Sequence, residues 1–240
     1  MAEKTSIEWT DSTWNPVTGC QRASDGCNSC YAERLSLRLQ RMGVKKYAGG
    51  FVPTVHPGAL SEPRKWKEPR MVFTVSMGDL FHKDIPDLFI LDVFKTIEEI
   101  APWHTYQLLS KRPLRMLNFQ ERYFPDGFPK NVWAGTSVED NRVVKRADFL
   151  RRVRVKSGVR FLSVEPMIGA VNLLDLSGMG WVIAGGESGS DHRPIQADWV
   201  RWLRDECGRR GVPFFFKQWG GKRPKSRGRL LDGREWSELP

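Results

Sequence analysis

Long hydrophobic runs are missing from this 240-residue chain. No stretch approaches the roughly 20 apolar residues that a bilayer-spanning helix needs, and the opening Met-Ala-Glu-Lys-Thr-Ser holds no apolar signal core. The expectation is a cytoplasmic protein with no membrane association. Histidine is scarce, and His56, His82, His104 and His192 are scattered without ligand spacing. Cysteine is scarce too, four in all, and thiols in a reducing compartment do not build a disulfide framework. Acidic residues number 28 against 38 Lys and Arg, so the net charge is +10 and the calculated pI near 9.7. That imbalance favours a polyanionic partner, nucleic acid first. Internal repeats and low-complexity segments are absent, while 40% hydrophobic and 11% aromatic residues describe a folded chain. The length suits one α/β domain with a small appendage, expected to be a monomer.

What the chain does have is a concentration of thiols. The stretch Thr18-Gly-Cys-Gln-Arg-Ala-Ser-Asp-Gly-Cys-Asn-Ser-Cys-Tyr-Ala32 places Cys20, Cys27 and Cys30 in one short polar loop. Isolated structural cysteines are usually buried as small hydrophobes, so a trio needs a chemical reason. Structural zinc and an iron–sulfur cluster compete. A closed zinc site takes four ligands, commonly two paired knuckles, and here there is a single Cys-x-x-Cys with one more cysteine upstream. Three thiolates can hold three corners of a [4Fe–4S] cubane and leave the fourth iron open to a substrate or cofactor. Ligand arithmetic therefore favours the cluster and keeps zinc as the alternative. Cys207 lies far away in a helical pattern, where it reads as a partly buried thiol.

Periodicity gives the frame. Residues 5–10 alternate as a first strand, residues 11–19 are turn-rich, and residues 31–40 form a helix with Leu35 and Leu39 on one face and Gly43 as its stop. Residues 43–70, punctuated by Pro and Gly, read as a long loop insertion containing one short helix around residues 60–66. Strands follow at 71–75, 106–109, 132–136, 160–164, 181–184 and 213–216. Between them lie helices at 87–100 (Leu88, Leu91, Phe94 and Ile97 on one face), at 114–121, at about 142–153, and at 198–209 with Asp198 as N-cap and Gly211 beyond the end. Short apolar strands alternating with helices predict a parallel sheet, and about six to seven mostly parallel strands predict a partial (β/α) barrel over residues 1–220. Residues 221–240 read as a basic C-terminal extension, mobile or late-packing.

Nearly every strand runs out into polar or Gly-rich residues: Gly78-Asp79, Ser110-Lys111, Ser137 with Glu139, Glu165, Gly185-Gly186-Glu187 and Lys217-Gln218. In a parallel barrel these ends share one rim with the cysteine loop, where such folds place their chemistry. The run Gly185-Gly-Glu-Ser-Gly189 lacks the Lys-Ser/Thr ending of a phosphate-binding loop and reads as a strand-end turn, with Glu187 facing substrate or cofactor. Basic residues concentrate in the 142–154 helix and the tail, and Trp199, Trp202, Trp219 and Trp236 accompany them as stacking platforms would, or equally as core residues. Arg112, Arg146, Lys217, Arg223 and Lys225 are the candidate nucleic-acid contacts.

With those residues on the page, the chain resembles the radical S-adenosylmethionine superfamily. Cys20, Cys27, Cys30 and the following Tyr31-Ala32 look like the cluster loop of the spore photoproduct lyase branch. The runs Leu162-Ser-Val-Glu-Pro166, Gly185-Gly-Glu-Ser-Gly189 and Phe214-Phe-Phe-Lys-Gln-Trp-Gly220 resemble a phage- and prophage-encoded radical-SAM-like family over most of the chain. Two departures stand out: six residues rather than three separate the first two cysteines, and Ser29 occupies a position that is often aromatic. The resemblance implies that Cys20, Cys27 and Cys30 bind a [4Fe–4S] cluster whose fourth iron chelates S-adenosylmethionine. A 5′-deoxyadenosyl radical would then abstract hydrogen from the substrate. It also implies that Met77, Gly78 and Asp79 receive the methionyl amine, that Tyr31 supplies the adenine contact, and that Lys111, Ser137, Glu139 and Glu165 line the cofactor site. Glu187 and Cys207 are the catalytic candidates, and an external electron donor is required. The expected substrate is a nucleic-acid base or nucleotide, in repair or modification. The alternatives are a radical enzyme acting on a small molecule or peptide, and a zinc-stabilised nucleic-acid-binding protein without catalysis.

Overall fold

The computed structural model describes residues 5–223 and 225–240. Seven strands form one all-parallel sheet curled into a half-barrel: β1 (Ser12–Trp14), β4 (Met71–Thr74), β5 (Thr105–Ser110), β6 (Val132–Ser137), β7 (Arg160–Val164), β8 (Trp181–Gly185) and β9 (Phe214–Gln218), in that spatial order. A separate antiparallel ribbon joins β2 (Val17–Thr18) to β3 (Thr54–Val55). The helices are α1 (Tyr31–Arg41), α2 (Asp87–Lys95, continued by a π turn over Thr96–Ile100), α3 (Pro113–Tyr123), α4 (Lys145–Arg152) and α5 (Ala197–Arg210). The expected partial barrel is the observed one. Among the described residues no helix is long and apolar enough to cross a membrane.

Side chains alternate across each strand, so one set faces the helices and the other faces the concave interior. The outward set, including Val72, Leu108, Ala134, Leu162, Val182 and Phe214, joins Phe94, Met116, Leu150 and Leu203 from the helices in the main core. The inward set forms a smaller aromatic cluster of Phe73, Phe161, Trp181, Ile183 and Phe215, capped by Trp9. Gly135 on β6 makes this cluster possible, since a Cβ there would lie 2.4 Å from the Phe161 ring.

Several local expectations shift. The first strand is Ser12–Trp14, not residues 5–10: Ile7 and Trp9 pack into the barrel interior, and the pairing starts only where Asp11 N–H reaches Met71 O at 3.0 Å. On α2 the buried stripe is Phe89, Ile90, Val93 and Phe94, which leaves Leu88 75% exposed. On α1 the buried residues are Ala32 and Ser36, while Leu35 stays exposed. The cap of α5 is Gln196, with Asp198 in the first turn paired to Arg201, and Gly211 (φ 65°) ends the helix as expected. The 43–70 connection holds 3-10 turns at Pro57–Ala59 and Pro63–Lys65 instead of a helix, pinned where Trp14 Nε1 donates to Ala59 O at 2.8 Å.

The basic tail packs along the sheet edge. Phe216 N–H donates to Trp236 O at 2.9 Å, Trp181 Nε1 to Glu238 O at 2.8 Å, Leu231 is buried, and the Arg229 guanidinium lies 4.9 Å over the Phe215 ring. Trp199, Trp202, Trp219 and Trp236 pack against the main core, so they serve as core flank and not as stacking platforms.

Candidate functional site

The carboxyl ends of the strands surround a cavity of about 420 Å³. Its floor is apolar, with Ile7, Trp9, Phe73, Val75 and Leu109, and its rim is polar. Pockets of this size and character are the usual home of small ligands.

The cysteine loop starts beside the floor and crosses the mouth. Gly19 (φ 81°) sits so close to the neighbouring loop that a Cβ would fall 2.2 Å from Val52 O, and its N–H donates to Met77 O at 2.9 Å. Only glycine accepts both that φ and that approach. Further along, Ser24 Oγ donates to Glu139 Oε1 at 3.0 Å, and a Cβ on Gly26 would lie 2.4 Å from Glu139 Cγ. Arg193 donates to Asp25 O at 2.9 Å, and Arg142 to Asp25 Oδ2 at 2.6 Å. The chain then returns through Cys30, which caps α1, and Tyr31 OH donates to Ser76 O at 2.5 Å. The loop is thus strapped from the segment after β4 across to the segments after β6 and β8.

Asp79, Glu139, Glu165 and Glu187 stand at the strand ends, and all but Glu165 are consumed by the protein itself. Asp79 accepts from Phe81 N–H, Ser110 Oγ and Arg112, the last at 2.7 Å. Glu139, almost fully buried, takes Ser24, Arg146 at 2.9 Å, and Lys111. Glu187 is gripped by the Arg193 backbone and guanidinium. Burial alone would raise the Glu187 carboxyl, but these hydrogen bonds outweigh it and hold it below the ordinary range. Glu165 differs: its partner is Lys217 at 2.6 Å, and both side chains keep about one-fifth of their surface open, 20% and 21%.

Cys20, Cys27 and Cys30 are all half-buried and all line the cavity. Burial pushes the Cys20 thiol up to about 11, with Asp79 adding to the effect, and burial raises Cys30 as well. Among the described residues no three His, Cys, Asp or Glu side chains converge as a metal group. Cys20 Sγ donates to Gln21 O at 3.2 Å, and Cys27 Sγ accepts from Ala23 N–H at 3.5 Å. The thiols share a cavity wall but not a common point. Three sulfur donors on one loop, with the Arg112 guanidinium 3.3 Å from Cys20 Sγ, are nevertheless the donor chemistry of an iron–sulfur cluster, and coordination deprotonates a bound thiol outright. The donor set fits.

The structure gathers Tyr31, Gly78, Asp79, Lys111, Arg112, Ser137, Glu165, Glu187, Lys217 and Lys225 around this cavity with the cysteines. It redirects several of them. Asp79 and Glu139, expected as open cofactor ligands, are tied up by cations, and Glu139 anchors the cysteine loop. Arg112 and Arg146, expected on nucleic acid, face inward onto Asp79 and Glu139. Lys225 pairs with Glu8 at 2.9 Å. Met77 is buried. Cys207 is wholly buried in the helix–sheet core, its thiol pushed up to about 12 by burial, which removes it as a hydrogen donor to the cavity. Arg223 remains exposed, and among the described residues it has no ion-pair partner. Sequence reading missed Arg193, counted Arg142 only as part of a basic helix, and spent the Ile7–Trp9 alternation on a strand.

The family model described as a protein of unknown function (DUF5131) matches residues 4–240. No curated protein and no solved structure matches the chain.

Proposed function

Since the chain belongs to the DUF5131 family, whose description names no activity, we propose its function from its own geometry: a radical S-adenosylmethionine enzyme acting on a nucleic-acid base or nucleotide. The observation that carries this reading is that Cys20, Cys27 and Cys30 open onto one cavity at the carboxyl ends of seven parallel strands. These cysteines would hold a [4Fe–4S] cluster through three of its irons. When bound, the cluster and S-adenosylmethionine supply one-electron cleavage of a sulfonium–carbon bond and hence a hydrogen-abstracting radical.

The chain's own residues aim and shelter that chemistry. Gly19 and Gly78 let the loop lie against the end of β4, where a Cβ on Gly78 would stand 2.8 Å from Gly19 O. The Tyr31 hydroxyl fixes the Ser76 carbonyl and with it the Ser76–Asp79 segment, the candidate seat of the methionyl group. Arg112 offsets thiolate charge at Cys20. Trp9, Phe73 and Leu109 form a floor that excludes water. The net charge of +10 supports a polyanionic partner, with Arg223 exposed to meet it. The reading calls for a thiol-reducing compartment and an external one-electron donor.

The test is cofactor turnover. Anaerobically reconstituted and reduced protein is expected to convert S-adenosylmethionine to 5′-deoxyadenosine, and Cys27→Ala to convert none. Wild-type protein that leaves S-adenosylmethionine intact, or a Cys27→Ala variant as active as wild type, contradicts the proposal.

A further inference from the structure

Among the described residues, Glu165 is the strand-end carboxylate with the fewest protein partners, and the Glu165–Lys217 pair keeps hydrogen-bonding capacity to spare. Asp79, Glu139 and Glu187 each accept three or more bonds from the protein, whereas Glu165 accepts from Lys217 Nζ, and Lys217 Nζ donates to Glu165. An ionised carboxylate has about four acceptor sites and an ammonium three donors, so both groups have unused capacity, and both line the cavity. Glu165 follows β7 and Lys217 lies on β9, and they meet above Gly185 of the strand between them. A Cβ on Gly185 would stand 3.3 Å from Glu165 Cδ and 3.5 Å from Lys217 Cβ, so the glycine keeps the wall behind the pair bare. Below lies the apolar floor with the Trp9 and Phe73 rings.

A ligand complementary to this wall is flat and largely apolar, with N–H donors beside a carbonyl on one edge. Resting on the nucleic-acid-base reading above, we propose that the pair reads the Watson–Crick edge of guanine. Its N1–H and N2–H donate to the Glu165 carboxylate, and Lys217 Nζ donates to O6. Guanine then makes three hydrogen bonds. Inosine, lacking the N2 amine, makes two, and adenine sets an amine donor against Lys217 where the carbonyl should be and a bare ring nitrogen against Glu165 where the N1–H should be. A site built around hydrogen bonds discriminates strongly, because the analogue leaves its buried polar groups unpaired.

Binding of guanosine, inosine, adenosine and uridine to the full chain, measured by calorimetry without cofactor, tests this directly. Guanosine should bind about tenfold tighter than inosine and on the order of a hundredfold tighter than adenosine. Glu165→Gln should lower guanosine affinity by at least roughly tenfold, and Lys217→Met should reduce the preference over adenosine. Because the nucleoside series uses wild-type protein, misfolding of a variant cannot mask the answer. Equal affinities across the four nucleosides, or no measurable guanosine binding, overturn the proposal. A short single strand with one guanine, bound more tightly than guanosine and with a steep salt dependence, identifies the polymer as the source of the base; equal binding identifies the free nucleoside. Loss of guanosine selectivity in a chain that still cleaves S-adenosylmethionine sinks this inference alone. Selectivity in a chain that takes up no iron upholds it and sinks the radical reading.

Discussion

The two faces of the parallel sheet use the same strands and carry opposite duties. Outward, Val72, Leu108, Leu162, Val182 and Phe214 meet helix side chains in a continuous apolar core. Inward, the same strands pass from an aromatic cluster at the floor to charged and thiol-bearing residues at the rim. Parallel strands are normally covered on both faces, and a near-continuous apolar run is the result. Here the covering on the concave side stops short, so the strand ends can carry polar groups without burying them unpaired. Stability should therefore reside in the outer layer and chemistry in the upper inner layer.

Substitutions that separate those layers give the largest contrast. Phe94→Ala, in the outer core, should cost about 3–5 kcal/mol in denaturant unfolding. Cys27→Ala, in the half-buried loop, should shift stability by less than about 1 kcal/mol yet abolish iron uptake. A Cys27→Ala variant that unfolds like Phe94→Ala would erase the distinction.

Glu139→Gln sits between the two layers. It strands Lys111 and Arg146 and loosens the loop at Ser24, so a loss of about 3 kcal/mol is expected, together with faster amide exchange across residues 22–28. Unchanged exchange there would mean that Glu139 does not anchor the loop.

Acid should act through the histidines whose pKa burial holds below the ordinary value, His56, His82 and His104. His104 Nδ1 accepts from Arg70 N–H at 3.2 Å and its Nε2 faces Pro63 O at 3.0 Å, and burial holds its pKa below the ordinary value. The folded state therefore binds fewer protons than the unfolded chain. The contribution is present above about pH 6.5 and is lost as pH falls below it. The melting temperature should drop between about pH 7 and pH 5, and less steeply in His104→Gln. Parallel profiles for the two proteins would contradict this.

The smallest effect is expected at the surface. Arg223→Ala should leave stability within about 0.5 kcal/mol and reduce the salt slope of nucleic-acid binding by about one unit. An unchanged slope would remove Arg223 from the contact.

The six later strands were legible because short β-rich apolar runs such as Phe161-Leu-Ser-Val164 and Trp181-Val-Ile-Ala184 stand between clear helix patterns. The first was not, since Ile7 and Trp9 alternate like a strand while serving as a plug. That strand ends would share a rim followed from parallel topology alone. Which carboxylate stays open did not follow, because Arg193 and Arg146 fold back on Glu187 and Glu139 from six and seven residues downstream, a spacing that belongs to no regular helix or strand contact. Net charge did not say which cations are free: Arg112 and Arg146 count toward the +10 but face inward onto Asp79 and Glu139, and Lys225 pairs with Glu8 at the surface.

Iron and acid-labile sulfide per chain, measured after anaerobic reconstitution, test the central claim most directly. About four of each in wild-type protein, and none retained by a variant lacking Cys20, Cys27 and Cys30, is the expected result. A colourless protein that takes up a single zinc ion, or no metal, would contradict it.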